Sequence, residues 1–134
     1  MGTDETVIRQ FVGAVGSGNG EAAAALTAED AVIELPGGTT LSGPDGARQF
    51  AAKHGEQSDG TTALASLTSL DPLDGGRHVA TLKMTTRDTA TGSENWSLEV
   101  GGLISVRDGL VSQLRAFPSA EEARAAAQDD ANTA

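Results

Sequence analysis

Few side chains in this chain of 134 residues are equipped for chemistry. It has two histidines, His54 and His78, and neither cysteine nor tyrosine. Without cysteine there is no thiolate nucleophile, no disulfide framework and no zinc site of the Cys type. Two imidazoles are too few for a multi-histidine metal site, so no metal is expected. No cofactor is expected either. Gly16-Ser17-Gly18-Asn19-Gly20 is loosely GxGxG, but it follows a helical pattern, whereas a dinucleotide loop follows a strand. The remaining proton carriers are His54, His78, Lys83 and the carboxylates. His54 falls at the end of a helical pattern, where an imidazole serves either as a general base or as a surface cation complementing the helix dipole. His78 opens a strand beside Arg77 and is expected to be exposed. Among the acids, Asp30 is expected to cap or pair near the start of the first strand, and Glu34 to face solvent or a subunit contact.

The charge balance narrows the partners. Nineteen acids against nine bases give a formal net charge of −10. A nucleic-acid backbone requires a Lys/Arg-rich face, and an anionic membrane surface requires the same. Both are therefore excluded as partners. No apolar run is long enough to span a bilayer. Met1–Glu5 is polar and acidic, unlike a secretory signal, which leads to an expected cytoplasmic location.

Stepping along the chain, Val7, Ile8, Phe11, Val12 and Val15 form one stripe of a helix that Thr3 or Asp4 can cap and the glycine-rich run ends. Glu21–Leu26 reads as a short alanine-rich helix packed closely on a neighbour. Ala31–Leu35 reads as a strand stopped by Pro36-Gly37-Gly38, and Thr39–Leu41 as a short return strand. Pro44 sits in the first turn of a third helix, with Ala47, Phe50, Ala51 and His54 along one side and Gly55 at its end. Four strands follow, Thr61–Leu70, Arg77–Thr86, Asn95–Val106 and Leu110–Phe117. Asp108-Gly109 marks a tight hairpin, and short connections predict an antiparallel meander. Ser119-Ala120-Glu121-Glu122 has capping-box form and opens a last helix to about Ala127, with Asp129–Ala134 fraying. The order predicts a single α+β domain, its core at about 4–117.

Strand alternation puts Trp96, Leu98, Val100 and Gly102 on one face and Glu99 on the other. With Phe11, Leu35 and Leu114 these make an apolar wall, either the lining of a pocket or plain core. On Arg77–Thr86, burial of large apolar groups favours Leu82 and Met84 inside. The opposite parity would line the same space with Lys83, Thr85 and Arg87.

The run Ala28–Gly38, then Leu41-Ser42-Gly43-Pro44-Asp45-Gly46 and a helix, resembles the nuclear transport factor 2-like superfamily, with SnoaL-like small enzymes and ketosteroid isomerases nearest. Leu98–Val106, Asp108–Val111 and Leu114–Phe117 resemble the last two strands of that fold. The resemblance implies a cone, in which a curved antiparallel sheet wraps around about three N-terminal helices (a cystatin-like α+β barrel) and encloses one apolar cavity. It also implies where catalytic groups would stand. Phe11 takes the place of the isomerase's oxyanion tyrosine, Leu35 that of its Asp base, Gly102 that of its buried second Asp and Ala51 that of a further pocket tyrosine. Thr85, Lys83 and Ala116 take the places of the Asp–Arg–Asp set of limonene-epoxide hydrolase. On the last strand, Leu114 and Ala116 should face in and Arg115 out, so no acid stands where polyketide cyclases place theirs.

The expected ligand-binding residues are Phe11, Val15, Leu35, Phe50, His54, Trp96, Leu98, Gly102, Leu114 and Ala116, and the expected partner is a small hydrophobic or aromatic molecule. One alternative is an enzyme of polyketide cyclase, isomerase or hydratase type using His54 or Lys83. Another is a dimeric structural or interaction module, a homodimer through the outer sheet face at Glu99, Gly101, Leu103 and Ser105.

Overall fold

In the computed structural model of the chain, residues 3–35, 38–57, 59–73 and 76–133 are described. Pro36-Gly37 of the expected breaker, and Asp74-Gly75 between the first two of the four expected strands, lie outside them.

The apolar stripe of the first helix buries Ile8, Phe11, Val12 and Val15 of α1 (Thr3–Gly16) in the main core. Asn19 caps α2 (Gly20–Ala25), its side-chain oxygen accepting the Ala22 N–H at 3.1 Å. The buried methyls of Ala23 and Ala24 bring α2 close to α3 (Gly43–Ala51), which has Pro44 in its first turn.

Among the described residues seven strands form one sheet: β1 (Thr27–Glu34), β2 (Thr40–Ser42), β3 (Gly55–Glu56), β4 (Thr61–Pro72), β5 (Arg77–Asp88), β6 (Glu94–Arg107) and β7 (Leu110–Phe117). The spatial order is β2-β1-β7-β6-β5-β4-β3, so β4 to β7 make the expected meander. Asp108 and Gly109 join β6 to β7 with φ of 55° and 79°, the two positive values a type I′ turn requires. The pairing is antiparallel except between β1 and β7, which run parallel. That pair also explains why β1 begins four residues before the expected Ala31. The Val111 N–H reaches back to the Leu26 carbonyl at 2.8 Å, and Thr27 already lies beside Val111. The sheet is curved and unclosed, with β2 and β3 at its edges. Register shifts leave an extra residue at Thr68 of β4, Asn95 of β6 and Ser112 of β7, bulges that bend strands locally.

The concave face packs on α1 and α3 to form the main core. Phe11, Ile8 and Ile33 are almost wholly buried there, and each such side chain contributes roughly 1.5–3 kcal/mol. At Gly16 the helix backbone meets β4 directly, since a Cβ there would stand 2.1 Å from the Ala65 carbonyl oxygen.

Three expectations are corrected. The last helix, α4, spans Ala120–Thr133 rather than ending near Ala127. Its start is capped as expected, with Ser119 Oγ accepting the Glu122 N–H at 3.2 Å. Second, α4 lies on the outer sheet face, where Ala123 and Ala127 pack on Val79 and Leu103. Part of the face expected to receive a second subunit, at Gly101 and Leu103, is therefore occupied by the chain's own helix. Third, His78 is buried, at 6% exposure. It shares its sheet face with Ala80 and Leu82 and pairs with Pro72 and Ile104 on the neighbouring strands, so β5 has already entered the sheet interior at its second residue.

Candidate functional site

A cavity of about 340 Å³ lies between α1, α3 and the concave face of the sheet. The alternation on β6 sends Leu98, Val100, Gly102 and Ile104 to its wall, and β5 adds Leu82 and Met84. From β7 come Leu114 and Ala116, and from α1 the turn of Phe11, Val12 and Val15. Leu35 and Phe50 complete the end nearest β1 and α3. Among the described lining residues, His54 is the only one with a polar side chain.

A second, more open groove of about 420 Å³ shares Leu35, Phe50, His54 and Met84 with the cavity and adds Thr39, Lys53 and Trp96. His54 therefore stands where the groove leads into the cavity.

The position of His54 is set by the chain around it. α3 ends at Ala51, three residues before His54, and the turn is held by the His54 N–H donating to the Ala51 carbonyl at 2.9 Å. The turn closes through Gly55 at φ +82° and packs against the α1–α2 connection, where Gly18 has φ +81°. A Cβ at Gly18 would approach the His54 carbonyl oxygen to 2.8 Å, so the two segments meet backbone to backbone.

Nδ1 of His54 lies 3.2 Å from the carbonyl oxygen of Phe50. A carbonyl only accepts, so Nδ1 carries the hydrogen of this bond. In the neutral ring Nε2 is then an unprotonated acceptor. Nε2 makes no hydrogen bond within the described residues. It is also open to solvent, because the one fully enclosed side-chain nitrogen or oxygen among them that lacks a partner is Nδ1 of His78. The Phe50 ring meets the imidazole edge to face, with centroids 5.6 Å apart. Burial lowers the His54 pKa below its ordinary value; the Phe50 carbonyl opposes this and the charge of Lys53 adds to it. At neutral pH the ring is uncharged, with a free lone pair beside an apolar chamber.

Nine of the ten expected pocket residues line this cavity: Phe11, Val15, Leu35, Phe50, His54, Leu98, Gly102, Leu114 and Ala116. The tenth, Trp96, lines the outer groove and is 51% exposed. The first half of β6 is exposed, so Trp96 stands outside the cavity and Leu98 forms the outer part of its wall. Leu82 and Met84 face in, the favoured parity, and Lys83 does not line the cavity; it borders a separate groove with Gly13, Gly16 and Arg87, so of the two groups named for the enzymatic alternative only His54 stands at the cavity. Ala51 is fully buried but does not line the cavity. Residues missed from the sequence include Val12, Ala65 and Pro118. Ala65 was legible in principle, since it pairs with Met84 across β4 and β5.

The acids near β1 are occupied at the surface. Asp30 pairs with Arg107 at 2.7 Å and Glu34 with Arg115 at 3.1 Å, exposed contacts of about 0–1 kcal/mol each. Among the described residues, no three of His, Asp and Glu gather as a metal site would require, and no helix is long and apolar enough to cross a membrane.

A curved sheet folded over three helices to leave one apolar chamber defines a small cone-shaped α+β domain. The SnoaL-like domain model matches residues 8–114, and the chain belongs to that family. No curated protein matches. Among solved structures, the chain is similar to an LEH-like epoxide hydrolase of Mycobacterium tuberculosis, at 14% identity and a TM-score of 0.66, covering 86% of this chain and 77% of that one. It is similar also to the Δ5-3-ketosteroid isomerase of a Mycobacterium species, at 20% identity and a TM-score of 0.65, covering 86% and 92%. A computationally designed 17-OHP binder matches at 18% identity and a TM-score of 0.65, covering 86% and 92%. At these identities the likeness is one of fold.

Proposed function

We propose that this protein binds a small, largely apolar molecule in the cavity beneath α1 and α3, and that binding, rather than proton-transfer chemistry, is its task. The observation that carries this reading is the lining, in which His54 is the only polar side chain among the described residues. Small-molecule sites are typically chambers of about 300–1,000 Å³ with apolar walls and few polar groups. A volume of about 340 Å³ falls at the lower end, which suits a ligand of one or two rings.

The second reading is an enzyme of isomerase, cyclase or hydratase type with His54 as general base, favoured by the free Nε2. A positioned base is worth roughly 10²–10⁴ in rate. Each donor aimed at a developing oxyanion adds about 10²–10³, and no other lining side chain is a hydrogen-bond donor. Phe11, Leu35 and Gly102, the positions at which the family resemblance would put the isomerase's tyrosine and two aspartates, all border this cavity with groups that neither donate nor ionise. The magnitudes therefore favour binding. The relatives bear on this only by analogy of fold, since one is an isomerase and another a designed binder.

The test is calorimetric titration with a panel of one- and two-ring apolar compounds, followed by emission from Trp96, the only tryptophan. The expected result is saturable binding that is lost in Gly102→Leu, whose side chain would project into the chamber, with the melting transition retained. Binding that is undiminished in Gly102→Leu would place the ligand elsewhere and overturn the reading. For the enzymatic alternative, solvent deuterium entering the α-position of a bound aryl ketone, and ceasing in His54→Gln, would reverse the preference.

A further inference from the structure

From the way His54 is held, we infer that the cavity selects ligands bearing a hydroxyl donor at the end nearest α3, such as a phenol, an enol or a ring alcohol, over ligands of the same shape that offer only an acceptor or no polar group. This rests on the cavity-binding reading above and adds the chemical class of its ligand.

The Phe50 carbonyl accepts the Nδ1 hydrogen of His54 at 3.2 Å, which fixes the tautomer. Nε2 is left as a lone pair with no partner within the described residues. Reversing the roles would set two acceptors, Nδ1 and the carbonyl oxygen, against each other at that distance, so the ring keeps this tautomer. His54 as a residue is 6% exposed, which leaves little water to satisfy Nε2. A ligand that fills the chamber as far as its mouth at the groove displaces the rest.

The balance then depends on the ligand. A hydroxyl on the bound molecule restores the hydrogen bond that water made. An ether, a ketone or a hydrocarbon leaves Nε2 buried and unpaired, and the penalty for an unsatisfied polar group exceeds the net worth of the bond. An acceptor meets the lone pair with repulsion. The nearest cation, Lys53, lies on the groove side with Thr39 and Trp96. Leu35, Phe50 and Met84 line both the chamber and the groove with His54 and offer no second polar side chain, and the hydroxyls of Thr39, Thr85 and Thr86 line the groove and not the chamber. The discrimination is therefore carried by one atom.

The experiment uses the intact protein at pH 7.5 and three probes that share a ring system: 2-naphthol, 2-methylnaphthalene and 2-methoxynaphthalene. Dissociation constants are read by calorimetry. A net hydrogen bond of this kind corresponds to about a tenfold preference, so 2-naphthol is expected to bind about tenfold more tightly than either of the others. In His54→Leu the order is expected to invert, with 2-methylnaphthalene tightest. The wild-type ratio needs no variant, and nitrogen NMR of labelled imidazole gives a second readout, with the Nε2 resonance moving on addition of 2-naphthol and staying in place with 2-methylnaphthalene. Binding of all three with 2-methylnaphthalene equal or tighter in the wild type would overturn this inference and leave the cavity reading standing. Failure of all three to bind would overturn both.

Discussion

A Cβ placed on Gly101 would stand 2.2 Å from the carbonyl oxygen of Ser119, whereas one on its neighbour Gly102 would meet only Leu114 Cδ1, at 3.6 Å, and other atoms at ordinary contact distance. Adjacent glycines thus serve opposite faces of the sheet. Gly101 lets the chain cross the outer face into α4, and Gly102 leaves room in the cavity. The expected outcome is that Gly101→Ala destabilises the protein by about 1–3 kcal/mol, as overpacking against backbone does. Gly102→Ala should change stability by less than about 1 kcal/mol, since the added methyl fits and the unfolded chain loses some freedom. Denaturant unfolding of the two variants checks this, and similar losses in both would contradict the assignment of faces.

The buried imidazole gives a pH prediction with a defined sign. Burial holds the His54 pKa below its ordinary 6.5 in the folded chain. The unfolded chain then binds the proton more tightly than the folded one. Stability accordingly rises with pH from the lowered folded value up to about 6.5 and is level above it, and acidification through that window removes it. His54→Gln should flatten this part of the profile. An imidazole titration by NMR gives the direct check, and a His54 midpoint at or above 6.5 would contradict the burial argument.

Much of this arrangement is legible in the residues, and the parts that are not have identifiable causes. Period-2 alternation fixed which residues of β6 share a face, and the volume of Leu82 and Met84 fixed the parity of β5, so most of the cavity wall follows from local pattern. The family resemblance supplied the cone itself, which alternation alone does not imply. What failed depends on where a strand enters or leaves cover. Trp96 is on the expected face but in the exposed first half of its strand, and His78 is at the start of its strand but already within the sheet. Burial of the outer face at Leu103 depends on α4, whose small residues carry no periodic apolar signal strong enough to announce a docking face. The tautomer of His54 depends on a contact with Phe50 four residues back that persists beyond the end of the helix.

His78 supplies a stability prediction of the opposite kind. Its Nδ1 is enclosed and has no hydrogen-bond partner among the described residues. Burying an unsatisfied nitrogen costs about 1–3 kcal/mol, and replacing such a group by an apolar one of similar size is near neutral or stabilising. His78→Leu is therefore expected to hold or raise the unfolding free energy, by up to about 1 kcal/mol. Most buried polar residues behave in the reverse way on truncation to carbon. A loss of more than about 2 kcal/mol in denaturant titration would mean that Nδ1 has a partner, such as an ordered water, which the variant cannot replace.

The outer face gives the last test. Val79 and Leu103 are each 1% exposed because Ala123 and Ala127 of α4 lie over them. Removing residues 119–134 would uncover both on a sheet that otherwise presents polar groups such as Lys83 and Glu99 on that side. Newly exposed apolar patches drive association. The shortened chain is expected to unfold at lower denaturant concentration than the full chain and to self-associate in light scattering, in proportion to its concentration. Leu103→Ser in the shortened chain should reduce that association without restoring the lost stability, because it removes the patch and not the cause of its exposure. If the shortened chain matched the full chain in both stability and oligomeric state, α4 would contribute nothing to the fold, and the outer face would again be free to receive a second subunit.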